Sequence, residues 1–115
     1  RRSEPGGAIH GGEYETSLML YLGRPVDMTK VTNQDVMKYH SEFYSGDNFV
    51  SAPHKVFWST WGIQQSKTGI YGDPTVASAE TGEKVMKATV ETYLRFIREF
   101  RSKSIQVTTF SDAKD

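Results

Sequence analysis

One histidine and two carboxylates stand close together near the start of the chain, at His10, Glu13 and Glu15. An imidazole can take up and release a proton near neutral pH, and a neighbouring carboxylate can orient or polarise it. The glycines at 11 and 12 allow a sharp turn, or a close approach of another group to the backbone. The residue types and their spacing therefore predict a proton-transfer site between a loop and a helix. The alternative interpretation is an ordinary solvated surface.

Two ordered strings of residues turn this general pattern into a family resemblance. Residues 10–20 read His-Gly-Gly-Glu-Tyr-Glu-Thr-Ser-Leu-Met-Leu, and residues 69–83 read Gly-Ile-Tyr-Gly-Asp-Pro-Thr-Val-Ala-Ser-Ala-Glu-Thr-Gly-Glu. In this order they resemble two signatures of the creatininase (creatinine amidohydrolase) family. The resemblance extends from Ala8 to Arg101 and corresponds to the C-terminal part of the longer family members. It predicts that an N-terminal segment of the protein precedes this chain.

The resemblance implies a role for each candidate residue of the first motif. His10 is the proton-transfer group for the reacting amide. Glu15 orients or polarises it, bonds neighbouring groups, or only caps the helix, and Glu13, at a more variable position, contacts substrate. Metal ligation by His10 is less favoured, because its spacing to the glutamates fits no specific ligand set. His40 and His54 have no motif context and are predicted to be surface or packing residues.

The same resemblance implies two divalent metal ions, Zn, Mn or Fe, that share an activated water. The family's metal ligands are a Glu-x-His pair, an Asp and a later His-x-Glu pair, and we expect them in the N-terminal segment and not in this chain. Creatininase itself has Trp-Asp shortly before the signature to hold creatinine, whereas residues 6–9 here are Gly-Gly-Ala-Ile. We therefore expect a different small cyclic amide as substrate, or a related ring such as an inosose-type ketone.

The composition argues against several classes of function. The 14 basic and 14 acidic residues leave a formal net charge of zero, so nothing steers the chain to nucleic acid or to an anionic membrane. The chain has no cysteine, which excludes disulfides and thiolate metal sites and fits a cytoplasmic protein. Its longest apolar run, residues 18–22, is far shorter than the roughly 20 residues that span a bilayer.

Turn and helix signals predict the elements that must position the first motif. Residues 1–12 are expected to be irregular or a short strand, and the signature helix follows within residues 13–23. Its helical core is residues 15–22, with Thr16 or Ser17 as the N-cap and Gly23 as the C-terminal glycine. Further along, the pattern predicts a helix or turns over 33–44, a loop over 46–53 and a strand or other extended segment over 56–61.

The last helix has the clearest periodicity in the chain. Apolar residues recur at steps of three and four, at Met86, Val90, Tyr93, Ile97 and Phe100. This spacing predicts an amphipathic helix of about 20 residues. Residues 69–101 thus comprise a Gly-Asp-Pro loop and the last helix, whose N-cap is Ser78 or Asp73. Residues 102–115 are expected to form a tail, in which 105–110 can be an extra strand or an arm.

The length of 115 residues predicts that residues 1–115 are one domain or part of one, and we expect the α/β class. The resemblance implies the C-terminal part of a layered α/β/α domain with a largely parallel sheet, in a homo-oligomer. The predicted function is metal-dependent hydrolysis of a small-molecule substrate, which requires the N-terminal segment. The alternative is a non-catalytic fragment or interaction module that assembles with other chains.

Overall fold

The computed structural model describes residues 2–8, 10–38 and 65–104. They form helix α1 (Glu13–Tyr21), a 3-10 turn (Pro74–Val76) and helix α2 (Ala79–Ser102). Helix α1 packs against α2 and against the 3-10 turn. The loops before α1 and before the turn carry the first residues of the two sequence motifs, and they lie beside each other.

Helix α1 begins at Glu13 because the preceding loop supplies an acceptor for its first amide. The Glu13 amide donates to the carbonyl of Gly7 at 3.0 Å, and Gly12 is the N-cap without a side-chain hydrogen bond. The prediction that Thr16 or Ser17 caps the helix is wrong, since both lie inside it and are buried. A backbone carbonyl from the loop does the work that a capping side chain usually does.

The C-terminal end of α1 is a glycine-terminated Schellman motif. Gly23 has φ +63°, and its amide donates to the carbonyl of Leu20 at 3.1 Å. The amide of Arg24 donates to the carbonyl of Met19 at 2.9 Å. These bonds satisfy carbonyls that the helix leaves unpaired, and they confirm the predicted role of Gly23.

Helix α2 is much longer than α1. The hydroxyl of Ser78 accepts a hydrogen bond from the amide of Thr81 at 3.1 Å, which confirms Ser78 as the N-cap. Asp73 instead caps the 3-10 turn, accepting from the amide of Thr75 at 3.0 Å, and Pro74 takes the first position of that turn. At 1.5 Å per residue α2 extends for about 36 Å and α1 for about 14 Å, so α1 covers only part of α2.

The uncovered part of α2 exposes its apolar side chains. The two helices meet near Gly82, close to the beginning of α2. Six apolar side chains further along are 47–62% exposed, and we call them the outer face of α2: Val90, Tyr93, Leu94, Phe96, Ile97 and Phe100. The described residues therefore leave most of the predicted amphipathic face uncovered.

The prediction of an α/β fold with a parallel sheet is wrong for the part of the chain that the structure describes, which contains helices and no strand. A sheet needs consecutive hydrogen bonds between neighbouring strands. The loops before the helices instead make isolated bonds to helix ends and to each other. For example, the carbonyl of Gly7 accepts from the amides of both Glu13 and Asp73. Residues 33–38 contain a turn and no helix.

Several predicted elements lie outside the described residues. They are the continuation of the helix or turns over 39–44, the loop 46–53, the strand 56–61 and the strand 105–110. Among the helices of the described segments, none is both long enough and apolar enough to cross a bilayer.

Candidate functional site

The two sequence motifs meet beside the beginning of α1. The amide of Tyr71, in the second motif, donates to the carbonyl of His10 at 3.0 Å. Next to this bond, Ile70 lies so close to Gly11 that a Cβ built on the glycine would be 3.2 Å from its Cγ1. Gly11 also has φ +73°, a backbone conformation that residues with a side chain rarely adopt. Glycine at this position therefore suits both the conformation and the space.

His10 itself has an unfavourable backbone conformation. Its φ is +35°, the only positive value at a non-glycine position in the described segments. Left-handed backbone costs such a residue about 1–2 kcal/mol. The peptide group that joins His10 to Gly11 is held from both sides, because its carbonyl accepts from Tyr71 and its N–H donates to the carboxylate of Glu15. Both motif segments thus hold this peptide in place.

Glu15 contacts the backbone beside His10. Its exposed carboxylate accepts from the amide of Gly11, and the hydroxyl of Thr16 donates to the carbonyl of Gly11 at 3.0 Å. Its place in the first turn of α1 is also where the helix dipole favours a negative charge. An orienting role for Glu15 would therefore act through the backbone, and its part in catalysis stays a prediction.

The imidazole of His10 lies against the ring of Tyr71. The ring centroids are 5.8 Å apart and the planes are tilted by 46°, within the range that favours aromatic pairs. Both residues are half-buried, so the imidazole is partly open to solvent. A histidine with a fixed backbone and an accessible ring can exchange protons with a bound molecule.

Glu13 is fully buried, and its carboxylate accepts four hydrogen bonds. The amide and hydroxyl of Ser3 donate at 2.8 and 2.7 Å, and the amide of Arg2 donates at 2.8 and 3.0 Å to the two oxygens. Burial raises the pKa of Glu13, but the donors of Ser3 and Arg2 lower it by more, so the pKa lies below its ordinary value of 4.5. These contacts anchor residues 2–3 to α1, and substrate contact by Glu13 stays a prediction.

Asp35 holds the loop that carries Tyr71, and the sequence interpretation missed it. Its Oδ2 accepts from the hydroxyls of Ser66 and Thr68 at 2.8 and 2.9 Å, and from the amides of Lys67 and Thr68 at 2.8 and 3.1 Å. Partial burial raises the pKa of Asp35, and the hydrogen bonds from Ser66 and Thr68 more than offset this, so the net pKa is lowered. The glycines and Pro74 within residues 62–74 predict a loop there, but no local pattern links that loop to a distant aspartate.

The described residues do not fit a metal site. Within them, no three His, Cys, Asp or Glu side chains are placed so that they could hold one ion. His40 and His54 lie outside the described residues. Residues 40–42, His-Ser-Glu, also lie outside the described residues. They have the His-x-Glu spacing that the resemblance assigns to two metal ligands, but they follow the signature in the chain. The expectation that this spacing occurs only in the N-terminal segment is therefore wrong.

The comparison with known families covers both motifs. A family model described as Creatininase, creatinine amidohydrolase, matches residues 1–97. No curated protein and no solved structure matches the chain. The match includes the loop of His10, the loop of Tyr71 and most of α2.

Proposed function

The chain belongs to the creatininase family, and on this premise we propose that it supplies the proton-transfer residue of a metal-dependent hydrolase. The substrate is a small cyclic amide or a related ring. The creatinine amidohydrolase activity by which the family is described supports an amide as the reacting group. The replacement of Trp-Asp by residues 6–9 (Gly-Gly-Ala-Ile) favours a ring other than creatinine.

The backbone of His10 carries the proposal. Glycine would adopt φ +35° without the cost that a histidine incurs, yet a histidine stands there and its ring is partly accessible. Unfavourable conformations of this kind cluster at functional sites, where the surrounding structure holds them. The bonds from Tyr71 and to Glu15 provide that support.

In the proposed reaction His10 moves one proton. It accepts the proton from the attacking water and returns it to the amide nitrogen as the C–N bond breaks, so the imidazole is unchanged after each turnover. The hydrogen bond between Glu15 and the Gly11 amide keeps the backbone that carries the His10 ring at a constant place relative to α1. A fixed position matters because proton transfer needs donor and acceptor within hydrogen-bond distance.

The divalent metals that the family resemblance implies require ligands other than the described residues. We assign these ligands to the N-terminal segment that the resemblance predicts, with Zn, Mn or Fe as the ion.

Cytoplasmic localisation is part of the same proposal and agrees with the absence of cysteine.

The outer face of α2 supports assembly with further polypeptide. Large exposed apolar patches usually mark surfaces that another element covers. We propose that the N-terminal segment covers this face within a homo-oligomer. The same face supports a second candidate function, an interaction module that assembles with other chains without catalysis.

Intact mass, metal analysis and turnover of the same material distinguish these functions. We expect the natural protein to be a larger polypeptide with about two divalent ions per copy, and to hydrolyse at least one compound in a panel of small cyclic amides that includes creatinine. This chain alone should hold no stoichiometric metal and should bind a dye specific for apolar surface. Two tightly bound ions on the isolated chain would refute our assignment of the ligands. A natural protein with neither metal nor turnover would favour the interaction module.

A further inference from the structure

We propose that Tyr71 is a positioning residue for His10, and that its ring and its backbone amide together set the orientation of the imidazole. This inference rests on the proposed function of His10. It assigns a role to Tyr71, a residue of the second motif. The sequence pattern alone does not indicate that Tyr71 belongs to the site.

Two independent contacts join the residues. The Tyr71 amide fixes the carbonyl of His10 at 3.0 Å, which restrains the backbone from which the imidazole projects. The tyrosine ring, with its centroid 5.8 Å from that of the imidazole, limits the positions that the histidine ring can occupy on that side. One contact restrains the backbone and the other restrains the side chain.

Tyr71 can act in this way because it is itself held at several points. Its carbonyl accepts from the amide of Met37 at 3.3 Å, and Met37 is only 1% exposed. Its hydroxyl accepts from the amide of Ser66 at 3.3 Å, at the end of the loop that Asp35 holds. The backbone and the hydroxyl of Tyr71 are thus both held by loop segments outside α1.

Nuclear magnetic resonance of the His10 ring tests this inference directly. The Tyr71→Phe variant keeps the aromatic ring and serves as the matched control for Tyr71→Leu, which removes it. A His10→Gln variant assigns the His10 signals among the three histidines. We expect the ring-current displacement of the His10 ring protons to persist in Tyr71→Phe and to disappear in Tyr71→Leu.

Turnover of the complete enzyme gives the second measurement. Tyr71→Leu should lower kcat about tenfold with little change in KM, because a bound substrate meets a misplaced imidazole, and Tyr71→Phe should retain most of the turnover. A residue needed only for folding would lower the melting temperature and leave the His10 signals of the folded protein unchanged.

Two results would overturn the inference. One is unchanged His10 resonances in folded Tyr71→Leu. The other is the absence of any nuclear Overhauser effect between the two rings in the unaltered chain, which remains decisive if Tyr71→Leu does not fold. Failure of the proposed function is a separate outcome, because it would show as full turnover in His10→Ala.

Discussion

Gly82 of α2 lies directly against the main chain of Ser17 in α1. A Cβ built on Gly82 would be 2.0 Å from the carbonyl oxygen of Ser17 and 2.8 Å from the Cβ of Tyr21. The hydroxyl of Ser17 also accepts from the amide of Ser78, just before α2, at 3.0 Å. The two helices therefore cross at backbone distance, and the position has room only for glycine.

Replacing Gly82 with alanine should destabilise the chain, although alanine ordinarily favours a helix over glycine by about 1 kcal/mol. We expect the clash with Ser17 to lower the free energy of unfolding by about 1–3 kcal/mol, the usual cost of overpacking. Urea unfolding of both proteins measures this difference in the free energy of unfolding. Thr89→Ala, at an exposed position of the same helix, is the control and should change stability little. An equal or higher stability of Gly82→Ala would show that the helices do not cross at this residue.

Glu13→Gln should destabilise the chain near neutral pH by about 1–3 kcal/mol. The buried carboxylate accepts from three donor groups of Arg2 and Ser3, and the amide group of glutamine would place its own donors against them. Denaturant unfolding at pH 7 gives the difference between the two proteins. Glu91→Gln, at an exposed position of α2, is the control for loss of one charge.

The effect of Glu13→Gln should also depend on pH. The folded-state pKa of Glu13 lies below 4.5, so its carboxylate adds stability above the unfolded-state pKa, and that stability is lost as the pH falls through the folded-state value. The stability difference between the unaltered chain and Glu13→Gln should thus be largest above about pH 5 and should shrink in more acid solution. A difference that is constant down to the acid unfolding transition would contradict the lowered pKa.

His10 variants should separate stability from activity. In the complete enzyme, His10→Ala should cut turnover by about 10²–10⁴-fold and leave bound metal unchanged, and Glu15→Gln should lose less. His10→Gly should be equally inactive, yet more stable than His10→Ala by about 1 kcal/mol, because glycine adopts φ +35° without strain. Turnover, bound metal and unfolding are measured on the same preparations. Loss of metal together with activity would make His10 a ligand instead.

Asp35→Ala should loosen the loop that carries Tyr71. The substitution removes four hydrogen bonds to one carboxylate oxygen, including those from the amides of Lys67 and Thr68. Exchange of these two amides with deuterium should become about tenfold faster or more. Asp27→Ala is the matched control, since within the described segments Asp27 bonds only its near neighbours Thr29 and Lys30. Unchanged exchange at both amides would show that Asp35 does not hold the loop.

The candidate site was only partly predictable from the sequence. The residue types and the two strings indicate His10 and Glu15 from the sequence alone, because both residues lie in one short motif. The contact between His10 and Tyr71 joins residues far apart in the chain, so no local signal contains it. Asp35 could not be predicted for the same reason, because its partners Ser66, Lys67 and Thr68 lie far along the chain from it.

The sequence by itself determined the features that depend on neighbouring residues: the periodicity of α2, the glycine end of α1 at Gly23, and the family. For the N-cap of α2 it offered Ser78 and Asp73, and the structure selected Ser78. The tertiary structure decided the rest. The carbonyl of Gly7, and not a capping side chain, starts α1, and the donors of Ser3 make Glu13 a buried anchor. The expected sheet is absent from the described segments, because their loops bond to helix ends and not in a ladder. Helix caps and periodicity arise within a few residues, whereas burial and hydrogen-bond partners are set by whichever distant groups the fold brings together.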